Sequence, residues 1–245
     1  MTGFRTAQEI EHALELPVLG SVEDIGDSSA AKETHQNADL RDRPITPAAQ
    51  FNNAIGVLRR AIPMVDRNNQ AKVIQLTSTR SHEGKSTVST AIAASAANSG
   101  LRVLLVDGSI RFHALSDRLG MGEAAGLSDL LRGAAALQQV IRSSKDARYM
   151  VLPGGSPTTS PVSLLATARL KWVFESVKSL FDYVVLDSPP AGIVVDPVIL
   201  SESCDLLLYV VRWDMTPREA VRHSIRQLSR YKRPSGIIFN RVMPR

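Results

Sequence analysis

One cysteine, Cys204, stands among 245 residues, so neither an intrachain disulfide nor a cysteine-based metal cluster can form. Aromatic side chains make up only 5% of the chain, and nowhere do they interleave with basic residues to make a nucleic-acid-reading surface. No apolar run approaches the roughly 18 residues that cross a bilayer, so this polypeptide is expected to be soluble by itself. Gln8, Glu9, Glu11 and His12 interrupt the apolar block that a secretory leader needs. His12, His35, His82, His113 and His223 show no ligand spacing, which argues against a histidine metal site. No internal repeat or low-complexity tract is visible. The expected compartment is the cytoplasm.

What is present describes an ordered enzyme-sized chain. Apolar residues account for 44% and charged residues for 22%, which excludes a disordered or collagen-like polypeptide. At about 150 residues per domain, the length fits one to two domains. The net charge of +5 hides an asymmetry. Residues 1–45 hold 4 Lys/Arg against 9 Asp/Glu, and the remainder holds 25 against 15. A basic body with an acidic arm suits a phosphate ligand or an anionic membrane surface, and the missing aromatic interleaving leaves nucleic acid unsupported.

Residues 1–20 read as an N-terminal arm: a short helix over 5–16, broken by Pro17-Val18-Leu19-Gly20. Residues 21–48 are poor in large apolar side chains and read as a linker. From residue 49 to 245 the chain reads as one domain, opening on a helix whose Phe51, Ile55, Leu58 and Ile62 share one face. Short β-branched runs then alternate with helical patterns. The strands are expected at 73–77, 103–107, 149–152, 183–187, 206–211 and 237–240. The helices are expected at 86–99, 126–142, 161–180, 196–202 and 216–231. Continuous apolar strands alternating with helices imply a doubly wound α/β fold, a mostly parallel sheet with helices on both faces.

The chemistry concentrates after the first of these strands, in Thr79-Arg80-Ser81-His82-Glu83-Gly84-Lys85-Ser86-Thr87. Gly84, Lys85 and Ser86 fit the end of the phosphate-loop template G-x-x-x-x-G-K-[ST], while Thr79 stands at its first glycine. A loop of this kind turns backbone N–H groups and a helix N-terminus toward a phosphate chain. Lys85 then reaches the β/γ oxygens and the Ser86 hydroxyl binds Mg²⁺. Asp107 and Asp187 each end an apolar strand, where the carboxyl ends of a parallel sheet face the ligand crevice. At least one of them is expected to serve the metal.

In these residues the sequence resembles the bacterial tyrosine kinase domain of polysaccharide co-polymerases, the ExoP/Wzz-type exopolysaccharide transport family, over nearly its whole length. Thr77–Thr87 resembles the family's Walker A loop, Val103–Asp107 its A′ strand, and Tyr183–Pro190 its Walker B strand. Gly126–Leu131 and Leu152–Leu165 resemble further family segments, and Leu16–Gly20 resembles the stretch that follows the last transmembrane helix. The resemblance implies an MgATP site formed by Arg80, Ser81, His82, Glu83, Gly84, Lys85, Ser86 and Thr87, with Thr87 near the α-phosphate. Asn240, followed by Arg241, would read the adenine edge. Lys85, Asp107 and Asp187 would be catalytic, Asp107 as base toward a tyrosine hydroxyl or as metal ligand. Ser86, Asp107 and Asp187 would hold Mg²⁺. Asp196, which matches a family aspartate, reads as a helix N-cap.

The implied function is a tyrosine kinase regulating exopolysaccharide polymerisation and export. Its partner would be a polysaccharide co-polymerase membrane segment, in the same longer chain or a separate adaptor, at the cytoplasmic face of the inner membrane.

Departures from the family keep two alternatives in view. The A′ strand runs into Gly108-Ser109 where the family places a second aspartate. The family's Glu-x-x-Arg-x-x-Arg self-association motif falls on Asn53, Gly56 and Arg59, keeping its last arginine alone, so self-association is weakened. His82 replaces a loop glycine. These changes favour a weakened or inactive nucleotide-binding regulatory module. The other alternative, a Min/Par-type ATPase switch, needs a lysine where this chain has Arg80, and arginine's planar fork does not replace a compact ammonium. Of the four tyrosines, Tyr149, Tyr183 and Tyr209 lie in strand patterns and Tyr231 alone is expected to be exposed, with no tyrosine cluster in the tail. Arg218, Arg222, Arg226 and Arg230 form a helical stripe that reads as a solvated face, or as a contact for anionic lipid or an acidic partner.

Overall fold

The computed structural model describes residues 3–24, 46–66, 70–145, 148–232 and 234–243. Among these, eight strands form one sheet in the order β1-β8-β7-β2-β6-β3-β5-β4. The strands are β1 (Val18–Glu23), β2 (Val73–Ser78), β3 (Val103–Asp107), β4 (Arg142–Ser143), β5 (Met150–Leu152), β6 (Tyr183–Asp187), β7 (Leu206–Arg212) and β8 (Gly236–Val242). All pair in parallel except the short edge strand β4, which runs antiparallel to β5. The doubly wound fold expected from the alternating pattern is what the chain adopts.

Helices cover both faces because the central strands are apolar on both sides. One face packs α2 (Pro47–Val65) and α3 (Lys85–Asn98) through Ile55, Leu58, Ile62, Val88 and Ile92. The other carries α5 (Leu127–Arg132), α8 (Ala168–Leu180), α9 (Asp196–Ser201) and α10 (Arg218–Ser229). The remaining helices are α1 (Ala7–Leu14), which precedes β1, and the short α4 (Ala114–Arg118), α6 (Leu137–Val140) and α7 (Pro161–Leu165).

Three differences from the sequence reading have physical causes. The helix expected over 126–142 is two short helices, because Gly133 takes a left-handed φ of 77° and closes α5. The helix expected over 161–180 breaks at Ala166, and α8 starts afresh at Ala168 behind an extended Thr167. The N-terminal segment joins the sheet. β1 pairs in parallel with β8, so the strand runs on from Gly20 into residues 21–23, the beginning of the expected linker. Residues 25–45 of that linker lie outside the described residues.

Phe4, Ile10 and Leu16 are buried against Tyr209, Val211 and α10, which ties the N-terminal segment to the edge of the core. Arg218 also leaves its expected stripe. It lies over the Phe4 ring at 5.1 Å and donates to Gly3 O (2.9 Å) and Glu9 Oε2 (2.6 Å). Arg226 and Arg230 stay exposed.

Candidate active site

β2 is fully buried and delivers the chain into the phosphate loop, after which α3 begins at Lys85. Gly84 is the N-cap of α3, with φ 91° and no side chain to cap the first turn, so that turn offers its amide N–H groups outward. A Cβ at Gly84 would lie 2.0 Å from Asn240 Nδ2, so both backbone conformation and space demand glycine. Thr79 fits where the template has glycine, because its φ is not positive and its hydroxyl shares a 2.8 Å hydrogen bond with Tyr209 Oη.

His82 is different, with a left-handed φ of 63°. Such a conformation costs a non-glycine residue about 1–2 kcal/mol, partly offset in a comparison with glycine by glycine's larger unfolded-state entropy. His82→Gly is expected to stabilise the protein by about 0.5–1 kcal/mol and raise Tm by a few degrees. Thermal unfolding checks this. An equal or lower Tm would mean that contacts of the imidazole outweigh the strain.

Side chains from three elements meet above the ends of β2, β6 and β3. Asp187 Oδ2 accepts from Ser86 Oγ at 2.5 Å, and Oδ1 accepts from Ser89 Oγ at 3.1 Å. Burial pushes the Asp187 carboxyl up to about 6, opposed by the Lys85 charge and the Ser86 hydrogen bond. Lys85, Ser86 and Asp187 share the wall of a cavity of about 520 Å³ with Ser81, His82, Gly84, Thr87 and Arg241. Thus most of the expected loop residues surround one space, of a size suited to a small-molecule ligand.

Four expected residues do not reach it. Glu83 turns inward, accepting from Arg80 N (2.8 Å) and from the Thr216 hydroxyl, and burial raises its pKa. Asn240 lies beneath the loop and donates to Glu83 O at 2.8 Å, so its amide nitrogen supports the backbone there. Arg80 faces a neighbouring depression with Thr79, Gly192 and His223. Asp107 pairs in register with Asp187, yet its carboxylate is fully buried. Its Oδ1 accepts from Ser109 N (2.9 Å), and Oδ2 accepts from Ser116 N (2.9 Å) and Ser116 Oγ (2.6 Å). Burial raises its pKa against these hydrogen bonds. Ser116 in turn accepts from Gly154 N at 3.0 Å, so Asp107 anchors α4 and the loop after β5.

Asp196 is a correction. Val195 occupies the N-cap of α9, and Asp196, the first helical residue, receives Arg111 through Nε (2.7 Å) and Nη2 (2.9 Å). Its role in the fold is therefore an ion pair with the segment after β3.

The cavity wall also contains Ser109, at the position where the family's A′ motif has its second aspartate, and two residues that no sequence motif marks, Phe112 and Arg118; Arg118 Nη1 donates to Thr87 Oγ1 at 3.2 Å. α4 is too short to show a helical period, so nothing in the sequence places Arg118 opposite Thr87. Pro189 and Pro190 close the cavity below Asp187.

Whether these residues fit a nucleotide and Mg²⁺ can be judged from their donors. The uncapped start of α3 and Lys85 suit phosphate oxygens. Among the described residues no three His, Cys, Asp or Glu gather to cage a metal. Mg²⁺ does not need such a cage, since it binds through one or two carboxylates together with substrate phosphates and water. Ser86 and Asp187, held together, meet that requirement.

Comparisons with known proteins bear on the fold and the family. The AAA domain family model AAA_31 matches residues 71–232. The tyrosine-protein kinase CpsD of Streptococcus agalactiae serotype III (strain NEM316) is 32% identical over 206 residues, covering 83% of this chain and 88% of that protein. Among solved structures, the BceF tyrosine kinase domain superposes with a TM-score of 0.82 at 27% identity, covering 98% of this chain and 99% of that one. The kinase domain of Escherichia coli tyrosine kinase ETK shares the fold, with a TM-score of 0.88 at 22% identity over 99% of this chain and 96% of that one. A Walker-type loop closed by Lys85 and Ser86, an aspartate-bearing strand beside it and these matches lead to one assignment: the chain belongs to the family of CpsD-type tyrosine-protein kinases.

Proposed function

We propose that this chain binds MgATP through the Thr79–Thr87 loop and transfers the γ-phosphoryl group to protein tyrosine. The observation that carries the reading is Ser86 bonded to Asp187 beside Lys85, at the uncapped N-terminus of α3. Lys85 neutralises and orients the terminal phosphates, while the amides of the first helical turn cradle them. Bound Mg²⁺ would supply charge neutralisation at the phosphate oxygens. Phosphoryl transfer asks for little beyond such positioning and charge, so the neutral Ser109 does not by itself bar it. Asn240 acts by holding Glu83 and the loop backbone, and Arg241 borders the nucleotide.

The domain would work within an exopolysaccharide polymerisation and export system, joined to a co-polymerase membrane segment at the inner face of the inner membrane. The family resemblance supports this placement. Among the described residues no helix is long and apolar enough to cross a membrane. Self-association through α2 is weakened in this reading: Asn53 is exposed, and a Cβ at Gly56 would meet nothing within 4 Å.

Following the γ-phosphate of labelled ATP tests the activity. Label on tyrosine supports a kinase, whereas label released only as phosphate would replace that reading with an ATPase switch.

A second reading, a weakened or inactive regulatory module, is favoured by the state of Asp107. Its carboxylate already accepts three hydrogen bonds and does not line the cavity, so it is poorly placed as a base. Ser109 lines the cavity instead. Ser109→Asp is expected to raise the transfer rate to a tyrosine copolymer by about tenfold, a small part of what a positioned base contributes. No gain in a variant that still binds ATP would mean that a missing carboxylate does not limit transfer.

A further inference from the structure

The cavity around Lys85 and Asp187 does not end at the phosphate loop. Ser81 lies on its wall and also on the wall of a second depression, lined by Arg80, Ile193 and His223. Gly192, Ile193 and His223 are shared in turn with a third, which reaches Arg230. The three, of about 520, 520 and 480 Å³, make one continuous trough from the phosphate site along α10. Its floor is the segment after β6, which is fixed to the phosphate loop and the strand before it. Ala191 N donates to Ser78 O at 2.8 Å, and a Cβ at Gly192 would lie 2.4 Å from Thr79 O. An occupant of the trough is therefore held at a set distance from Lys85 and Asp187.

The trough is apolar below and basic at its rim. Ile193 and Val195 are 58% and 47% exposed and lie side by side in one depression, a patch that suits a partner more than solvent. Arg80 and Arg230 are exposed too, and neither forms an ion pair with a described residue. No carboxylate of a described residue lines the second or third depression. Two guanidinium groups over an apolar floor, with no negative charge facing them, complement a chain that carries carboxylates and apolar side chains together. From Ala220 to Arg230 the helix rises about 15 Å, which an extended peptide covers with about five residues.

We infer that this trough binds the phosphoryl acceptor, an extended protein segment whose tyrosine is flanked by acidic and apolar residues. The inference rests on the kinase activity proposed above and deepens it by naming the chemistry of the acceptor. The tyrosine enters the cavity beside Asp187 while its neighbours lie over Ile193 and Val195 and meet Arg80 and Arg230. In the transfer a bond forms between the tyrosine oxygen and the γ-phosphorus, the bond from that phosphorus to the β,γ-bridging oxygen breaks, ADP leaves with the electron pair, and the phenolic proton passes to solvent.

The test uses two synthetic peptides that share a central tyrosine and the same leucines and differ only in carrying glutamate or lysine at the remaining positions. Transfer from labelled ATP with Mg²⁺ is measured on both peptides for wild type, for His223→Glu with Arg230→Glu, and for Arg142→Glu with Lys145→Glu. The last pair, exposed at the far edge of the sheet, removes at least as much positive charge. Wild type is expected to favour the glutamate peptide in kcat/KM by about tenfold or more, a preference that shrinks with added salt. The trough variant should lose about tenfold on the glutamate peptide and gain on the lysine peptide. Its MgATP affinity should match wild type, since neither residue lines the nucleotide cavity. The edge variant should keep the wild-type preference. An unchanged preference in the trough variant, an equal loss in the edge variant, or a trough variant that fails through weakened MgATP binding overturns the trough and leaves the kinase standing. Label on neither peptide in any reaction overturns both.

Discussion

Lys85→Ala is expected to lower MgATP affinity about 100-fold and to bring phosphoryl transfer below detection. Lys85 is the first residue of α3, 8% exposed, on the wall of the cavity that it shares with Ser86 and Asp187. Charge-assisted hydrogen bonds to phosphate oxygens in such a place are worth about 1.5–3 kcal/mol, or one to two orders of magnitude in affinity. A second effect adds to the loss. The Lys85 charge is the strongest influence opposing the burial-driven rise in the Asp187 pKa, so its removal leaves that carboxylate more readily protonated. Lys85→Arg restores the charge but not the compact point donor, and is expected to recover only part of the affinity. Isothermal titration with ATP and Mg²⁺ measures all three proteins. Equal affinities in wild type and Lys85→Ala would remove the phosphate-loop assignment.

The same residues show how far sequence reading reaches. β3 and β6 are legible because each is a run of apolar residues ending in aspartate, and the structure places both within those bounds. β1 is not, since Pro17 and Gly20 read as a break and its partner among the described residues, β8, lies more than 200 residues further along the chain. Pairing across that distance leaves no local period to detect.

The site divides in the same way. Lys85 and Ser86 owe their positions to a strand, a glycine with positive φ and a helix start, all contiguous, and their roles can be read from spacing. Asp107 and Asp187 look alike in sequence, two carboxylates at two neighbouring strand ends. What separates them is Ser116, which α4 brings over Asp107 to occupy it, while Ser86 and Ser89 turn Asp187 toward the cavity. Glu83 and Asn240 are similar cases: a place in the loop for Glu83, and the family resemblance for Asn240, imply contact with the ligand, whereas their hydrogen bonds go to the loop itself and to Thr216.

Asp187→Asn is expected to divide stability from ligand binding in a pH-dependent manner. The wild-type carboxyl is raised to about 6 in the folded protein, chiefly by burial, from an ordinary value of 3.8. A raised carboxyl favours the fold fully below the unfolded value, and that contribution is lost as pH climbs through the folded one. Between pH 4 and 6 the wild type therefore loses stability that the neutral amide keeps, about 3 kcal/mol when the loss is complete. Without nucleotide, Asp187→Asn should unfold at a Tm several degrees above wild type at pH 7.5, and the advantage should vanish near pH 3.5. One of the two serine hydroxyls must rearrange around the amide, which reduces the gain without reversing it.

Binding should move the other way. A proton competes with the cation for Asp187, so wild-type affinity for MgATP falls as pH drops below about 6, approaching tenfold per unit. The asparagine variant binds weakly throughout and lacks this slope. The ratio of the two affinities cancels the titration of ATP itself, which makes it the quantity to plot from pH 5 to 8. A flat ratio would mean that Asp187 does not meet the metal, and the carboxylate would then be a structural cap for Ser86 and Ser89.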